Sequence, residues 1–126
     1  MGWIQVETRD GVTAFVPGET VEGTVSWQLE KPARTIELRL FWYTQGKGDQ
    51  DVGVVTAVPF PEPALQDRRS FRVTLPLGPY SFSGQLISLI WALEVVAEPG
   101  ARTGRIEIVV SPWRREVVLQ PHSPAG

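Results

Sequence analysis

The chain has 126 residues and a formal net charge of −2, and 42% of its residues are hydrophobic. This length predicts one domain that buries about two-thirds of its unfolded surface without a structural metal or disulfide; the chain has no cysteine. Because the charges are dispersed and nearly balanced, we expect no nucleic-acid partner.

The first half of the chain alternates apolar and polar side chains, which is typical of half-buried strands. A first strand is predicted at residues 3–8, and residues 1–6 lack the basic and apolar segments of a secretory signal. No apolar run reaches the ~18 residues of a membrane span, so we expect a cytoplasmic protein without a membrane span.

Turn residues separate the next two predicted strands. A turn at 9–11 precedes a short strand at 12–16, and Pro17 and Gly18 open a second turn. The strand that follows, at 20–29, turns apolar side chains and Gly23 to one face. Gly23 leaves space there for a large neighbour such as a tryptophan.

The predicted strand at 34–44 carries aromatic side chains on its outward face. Phe41 and Tyr43 share that face with Glu37 and Arg39. Two interpretations stay open. The aromatics form a pair that a neighbouring strand covers, or they belong to a partner-binding patch.

A polar loop at 45–51 leads to a predicted strand at 52–58. Three prolines make residues 59–67 irregular, because proline cannot donate to a strand ladder, and a helical turn is allowed at 64–67. Alternation then predicts a strand at 69–75, ended by a proline-rich turn at 75–79.

The run at 86–96 is apolar on both faces, which favours a central strand. A helix would also accept this run, but β-branched and aromatic residues favour a strand. A turn at 98–103 and a strand at 104–110 follow. A last strand is predicted at 113–119 and a flexible tail at 121–126.

Few residues suggest chemistry. The only histidine, His122, lies in the predicted tail, so a catalytic triad is not expected. Asp49 and Asp51 lie in a polar loop without the spacing of an EF-hand; a solvated loop or weak calcium binding remain the two interpretations. The Arg68–Arg69 and Arg114–Arg115 pairs are read as solvated strand ends rather than an anion site. We expect no metal or cofactor.

Three motifs resemble the arrestin family. Residues 17–25, PGETVEGTV, resemble its "pGe.v.G.v" segment. Residues 79–84, PYSFSG, resemble "P.SF.G", and residues 89–95, LIWALEV, resemble "I.Y.l.V", with Trp91 where the family usually has Tyr. Leu75 and Pro76 are similar to its "lP".

The resemblance implies an all-β fold, an immunoglobulin-like (arrestin-type) antiparallel β-sandwich of about seven to nine strands. It implies one such domain at residues 1–120, where arrestins carry two. It also implies a non-enzymatic protein-binding scaffold or adaptor, with a regulatory or trafficking-like role in a bacterium.

We expect a protein partner or a homodimer, contacted through the face that bears Phe41 and Tyr43 or through a sheet edge. The alternative is a carbohydrate-binding-like β-sandwich that uses outward aromatics such as Tyr43 and Tyr80. An enzyme is the least favoured class.

Overall fold

The structure is a computed structural model that describes residues 2–48 and 50–118. A short 3-10 turn at Arg9–Gly11 follows the first strand, and Asp10 and Gly11 both have positive φ. The described strands are β1 (Trp3–Thr8), β2 (Ala14–Phe15), β3 (Thr20–Gln28), β4 (Thr35–Gly46), β5 (Val52–Pro59), β6 (Gln66–Thr74), β7 (Phe82–Ser83), β8 (Ile87–Glu98), β9 (Arg102–Val110) and β10 (Val117–Val118). Asp49 and the predicted tail at 121–126, which includes His122, lie outside the described residues.

The strands form two sheets. The smaller sheet has the order β1-β3-β6, and the larger has the order β10-β7-β8-β4-β5, with β9 pairing with both β8 and β2. The long pairs are antiparallel, while β2 with β9 and β7 with β10 are short parallel pairs. The predicted all-β sandwich is confirmed, and two-residue strands raise the number of described strands above the expected seven to nine.

The core lies between the sheets, as the alternating pattern predicted. Large side chains that face inward from β3, β4 and β8 are almost inaccessible to solvent: Val21, Val25, Trp27, Ile36, Leu38, Leu40, Trp91, Leu93 and Val95. No helix in the described part of the chain has the length and apolar surface that crossing a bilayer requires.

Strand β8 is central, which confirms the prediction for this run. It pairs with β4 from Ile87 to Glu98, and on its other side it pairs with β7 and then β9. Trp91 lies at its middle with no exposed surface, and its indole Nε1–H donates to the Pro79 carbonyl oxygen at 2.9 Å. The proline-rich turn therefore supplies the acceptor that allows this tryptophan to be buried.

The helical turn that the sequence allowed at 64–67 does not form. The Trp27 indole N–H donates to the Ala64 carbonyl, and the Leu29 amide donates to the Leu65 carbonyl, both at 2.8 Å. These bonds tie residues 64 and 65 to β3. Strand β6 consequently begins at Gln66, three residues before the predicted start.

The predicted strand at 113–119 is mostly a turn. The Ser111 hydroxyl oxygen accepts the backbone N–H groups of Trp113 and Arg115, at 3.3 and 3.1 Å, and bends the chain there. Only Val117 and Val118 are paired in a strand among the described residues of this segment.

A large ring fills the space above Gly23, and it belongs to Phe71 rather than to a tryptophan. A Cβ atom at Gly23 would lie 2.6 Å from the Phe71 Cζ atom and closer still to the Glu7 carbonyl oxygen. The position therefore requires glycine because neighbouring atoms occupy the place of any side chain.

We predict that Trp91→Ala lowers the free energy of unfolding by about 3–5 kcal/mol, since it leaves a cavity at the centre of β8. Urea unfolding followed by circular dichroism measures this loss. Trp113→Ala is the matched control, because 63% of the Trp113 surface is exposed, and it should change stability by less than about 0.5 kcal/mol. Equal effects of the two variants would contradict the strand register.

We also predict that Gly23→Ala destabilises the protein by about 1–3 kcal/mol, because the new methyl group overpacks Phe71 and the backbone of β1. Gly78→Ala is the control, since nothing lies within 4 Å of its Cβ position. A Gly23→Ala protein with wild-type stability would show that β1 and β6 can separate at no cost.

Candidate functional site on the outer face of the larger sheet

Phe41 and Tyr43 lie on the outer face of the larger sheet because β4 turns its even-numbered side chains inward. Phe41 stands opposite Ala92 of β8, and Tyr43 stands opposite Ile90. Ala92 is fully buried although it belongs to the outer face. Side chains from the neighbouring strands therefore close over the middle of this face.

Four side chains form what we call the outer aromatic cluster: Phe41 and Tyr43 of β4, and Arg105 and Glu107 of β9. The two rings stack with centroids 6.0 Å apart and planes 29° apart. The Arg105 guanidinium carbon lies 5.2 Å from the Phe41 centroid and 4.7 Å from the Tyr43 centroid, a cation–π arrangement. The Tyr43 hydroxyl donates to Glu107 Oε1 at 3.3 Å.

The surroundings of Phe41 and Tyr43 bear on both interpretations of these aromatics. The pair is half-buried and covered by Arg105, as expected for a structural pair. Yet the cover is a single exposed arginine rather than a loop. The expectation that Phe41 and Tyr43 bind a partner is therefore left untested by the geometry alone.

The pKa of the Tyr43 phenol is raised above its ordinary value. Burial is the largest cause, because it disfavours the phenolate. The positive charge of Arg105 lowers the pKa, while the negative charge of Glu107 raises it. The raised pKa extends to higher pH the range in which the phenol is a hydrogen-bond donor.

Paired charges surround the cluster. Arg39 Nη2 lies 2.7 Å from Glu37 Oε1. In the strand register Glu94 of β8 lies between Arg39 of β4 and Arg105 of β9. Opposite charges thus alternate across three strands, which gives the face a polar margin without a strong net field.

The edge strand β5 adds exposed apolar surface that the sequence reasoning missed. Val54 pairs with Phe41 and Val52 pairs with Tyr43, and 61% and 65% of their respective surfaces are exposed. The signal was present in the sequence, because residues 52–59 contain no charged side chain. The outward apolar surface therefore runs from the cluster to the edge of the sheet.

The other residues singled out from the sequence form no second site. Asp51 closes the β4–β5 hairpin through its backbone, which accepts from the Thr44 N–H and donates to the Thr44 hydroxyl. Its predicted partner Asp49 lies outside the described residues. Within residues 2–48 and 50–118, no three His, Cys, Asp or Glu side chains are grouped so that they could hold a metal ion.

Two of the four paired arginines are already engaged. Arg69 Nε donates to Asp67 Oδ2 at 2.8 Å and its guanidinium carbon lies 5.8 Å from the Trp27 ring, while Arg114 bonds Glu19 at 2.9 Å. The bond to Arg69 holds the pKa of Asp67 below its usual value. Both arginines are therefore held in ion pairs. Arg69 lies within β6 and Arg114 lies in the turn after β9, so neither is the solvated strand end that the sequence predicted.

We predict that Tyr43 ionises above the ordinary tyrosine pKa of about 10. Tyr43 and Tyr80 are the two tyrosines of the chain, so ultraviolet titration of a Tyr80→Phe variant reports Tyr43 alone. Arg105→Gln should raise this pKa further, since it removes the charge that lowers it. Arg68→Gln, the same change on the smaller sheet, should leave it unchanged.

The raised pKa of Tyr43 makes the stability of the protein depend on pH. A pKa that is higher in the folded than in the unfolded state adds stability below pH ~10, and this is lost as the pH rises through the folded-state value. Arg105→Gln with an unchanged or lowered Tyr43 pKa would contradict the placement of Arg105 over the ring.

Comparison with known proteins shows the fold. No family model matches the chain, and no match is found among curated proteins. The crystal structure of Spo0M, sporulation control protein, from Bacillus subtilis is similar to this chain with a TM-score of 0.62 and 20% sequence identity. The match covers 87% of this chain and 49% of the Spo0M chain, so the chain spans about half the length of that protein. The arrestin-type fold expected from the sequence motifs is confirmed.

Proposed function

We propose that this protein is a non-enzymatic scaffold or adaptor that binds another protein through the outer face of the larger sheet. The observation that carries the proposal is the continuity of apolar surface from Phe41 and Tyr43 to the exposed Val52 and Val54. Protein interfaces combine such apolar and aromatic centres and arginine with a polar rim. The Arg39–Glu37 pair supplies part of that rim.

The fold supports a regulatory role without naming a partner. Spo0M is described as a sporulation control protein, and a likeness in fold makes control through protein binding a reasonable function to test here. We propose that residues 1–120 act as one arrestin-type domain and that the protein works in the cytoplasm. Cell fractionation with an antibody against the chain tests the location.

The carbohydrate-binding alternative receives less support. Sugar-binding aromatics need a free ring face, and Arg105 covers the Tyr43 ring while Phe41 stacks against it. Tyr80 lies in the turn before β7 and has no ring contact with Tyr43 among the described residues. The geometry therefore favours a protein partner over a glycan.

We predict that Phe41→Ser with Tyr43→Ser abolishes partner capture. The double variant removes the aromatic centre of the proposed interface, where truncation of a buried anchor costs more than about 2 kcal/mol of binding free energy. The measurement is affinity capture from a lysate of the source cells, with quantitative mass spectrometry of the proteins retained by the wild type and by the variant.

The matched control is Val12→Ser with Leu77→Ser, which removes two exposed apolar side chains away from the cluster. Thermal melts must show that both double variants are folded. Partners that are retained by the wild type and the control, but lost by the cluster variant, support the proposal. A folded cluster variant that keeps every partner excludes this face.

A further inference from the structure

Strand β5 forms a free edge of the larger sheet. The strand order ends at β5, which pairs with β4 on one side. Two backbone bonds, from the Thr44 N–H to the Asp51 carbonyl and from the Phe60 N–H to the Ile36 carbonyl, show which residues face β4. Because pairing groups alternate along a strand, the backbone groups of Val52, Val54 and Ala57 point away from the sheet.

The β5 edge lacks the charged side chains that protect the edge of the smaller sheet. Edge strands of natural proteins are usually blunted by charged side chains. The edge of the smaller sheet follows this rule, since β6 includes Asp67, Arg68, Arg69 and Arg72. By contrast, the eight residues of β5 have no charge.

Two features restrict the open part of the edge to its first half. The register shifts between Leu40 and Phe41, which leaves Val55 as an extra residue in a β-bulge. Pro59 has no N–H to offer at its outward-pointing position. Residues 52–54 therefore form the stretch that is both regular and open.

The other long edges are covered or charged. Strand β1 lies against β9, where a Cβ atom at Gly104 would lie 2.9 Å from the Gln5 Cα atom. Arg102 also donates to the Gly2 carbonyl across this boundary. Within the described residues, β5 is thus the long strand whose edge is both unpaired and uncharged.

We propose that β5 pairs antiparallel with β5 of a second copy of this chain, about a two-fold axis, and joins two larger sheets into one. The inference rests on the proposed protein-binding function and names one partner for it. The absence of charge favours a second copy of β5 as the pairing strand. An uncharged edge offers no complement to a charged strand, whereas two copies of the β5 edge oppose valine to valine without repulsion.

Two-fold symmetry also favours a second copy of the chain as the partner. A two-fold interface uses the same surface on both chains, and it consumes both edges, so the assembly stops at a dimer. The side chains of Val52 and Val54 lie on the outer face beside Tyr43 and Phe41. Pairing would therefore join the two outer aromatic clusters into one continuous apolar surface.

The pairing should be reversible. The open stretch at residues 52–54 spans about 10 Å, so an interface built on it lies below the ~1,200–2,000 Å² of stable complexes. We therefore expect sedimentation velocity of the purified wild type, between about 5 and 200 micromolar, to show a monomer–dimer equilibrium.

We predict that Val54→Lys raises the dimer dissociation constant at least ~100-fold, because it places like charges in the paired edges. Val12→Lys is the matched control, since Val12 is also exposed but lies outside β5, and it should dimerise like the wild type. A wild type that is monomeric over the whole range, or a Val54→Lys variant that dimerises normally, overturns the proposal.

A second measurement covers the case in which Val54→Lys does not fold. The chain has no cysteine, so a single introduced cysteine forms a disulfide only with another copy. Val52→Cys or Val54→Cys should cross-link rapidly, while Val12→Cys should not. Cross-linking no faster than in Val12→Cys at both positions also overturns the proposal.

These experiments distinguish a failure of the β5 dimer from a failure of the scaffold function. A monomeric wild type whose lysate partners depend on Phe41 and Tyr43 overturns the dimer and leaves the scaffold function supported. A dimer that depends on β5, with no partner lost by the cluster variant, supports the dimer and excludes the outer face as a site for other proteins.

Discussion

The burial of Trp91 on β8 is the constraint on which the larger sheet depends. Its indole has no exposed surface, so its N–H must find an acceptor inside the protein, and the Pro79 carbonyl provides it. The proline-rich turn is thereby tied to the centre of the sheet. With β8 fixed between β4 and β9, β5 is left at the free edge of the sheet.

The same central strand explains why the outer face is organised and not merely exposed. Ala92 is small enough to lie beneath its neighbours, and Arg105 of β9 reaches over the rings of Phe41 and Tyr43. The guanidinium makes cation–π contacts with the electron-rich ring faces and shields them from water. A partner would meet an ordered aromatic and charged surface, which loses little side-chain freedom on binding.

The outer edges of the two sheets differ in charge. Arg69 and Asp67 keep charge on β6, and desolvating that charge would oppose pairing with another strand. Strand β5 has only the bulge at Val55 and the missing N–H of Pro59. These features limit how far pairing can extend, but they do not oppose it between residues 52 and 54. The difference in charge makes one edge protected and the other available.

The sequence by itself determined which side chains share a face, because a period of two is a local property of any strand. This period was enough to predict that Trp27 and Trp91 are buried and that Phe41 and Tyr43 face outward. Local sequence was insufficient where a distant partner decided the conformation. Residues 64–67 could have formed a helical turn, but bonds from Trp27 and Leu29 to the carbonyl groups of residues 64 and 65 tie the segment to β3 and its neighbourhood instead.

Only the tertiary structure decided which strands are neighbours. Arg105 is 62 positions beyond Tyr43 in the chain, and the β8–β9 register brings its guanidinium over that ring. The exposed edge at Val52 and Val54 likewise follows from strand order, since the same uncharged run would be a buried strand in the middle of a sheet. Alternation within a strand is set by backbone geometry, whereas the choice of neighbours depends on packing summed over the whole sandwich.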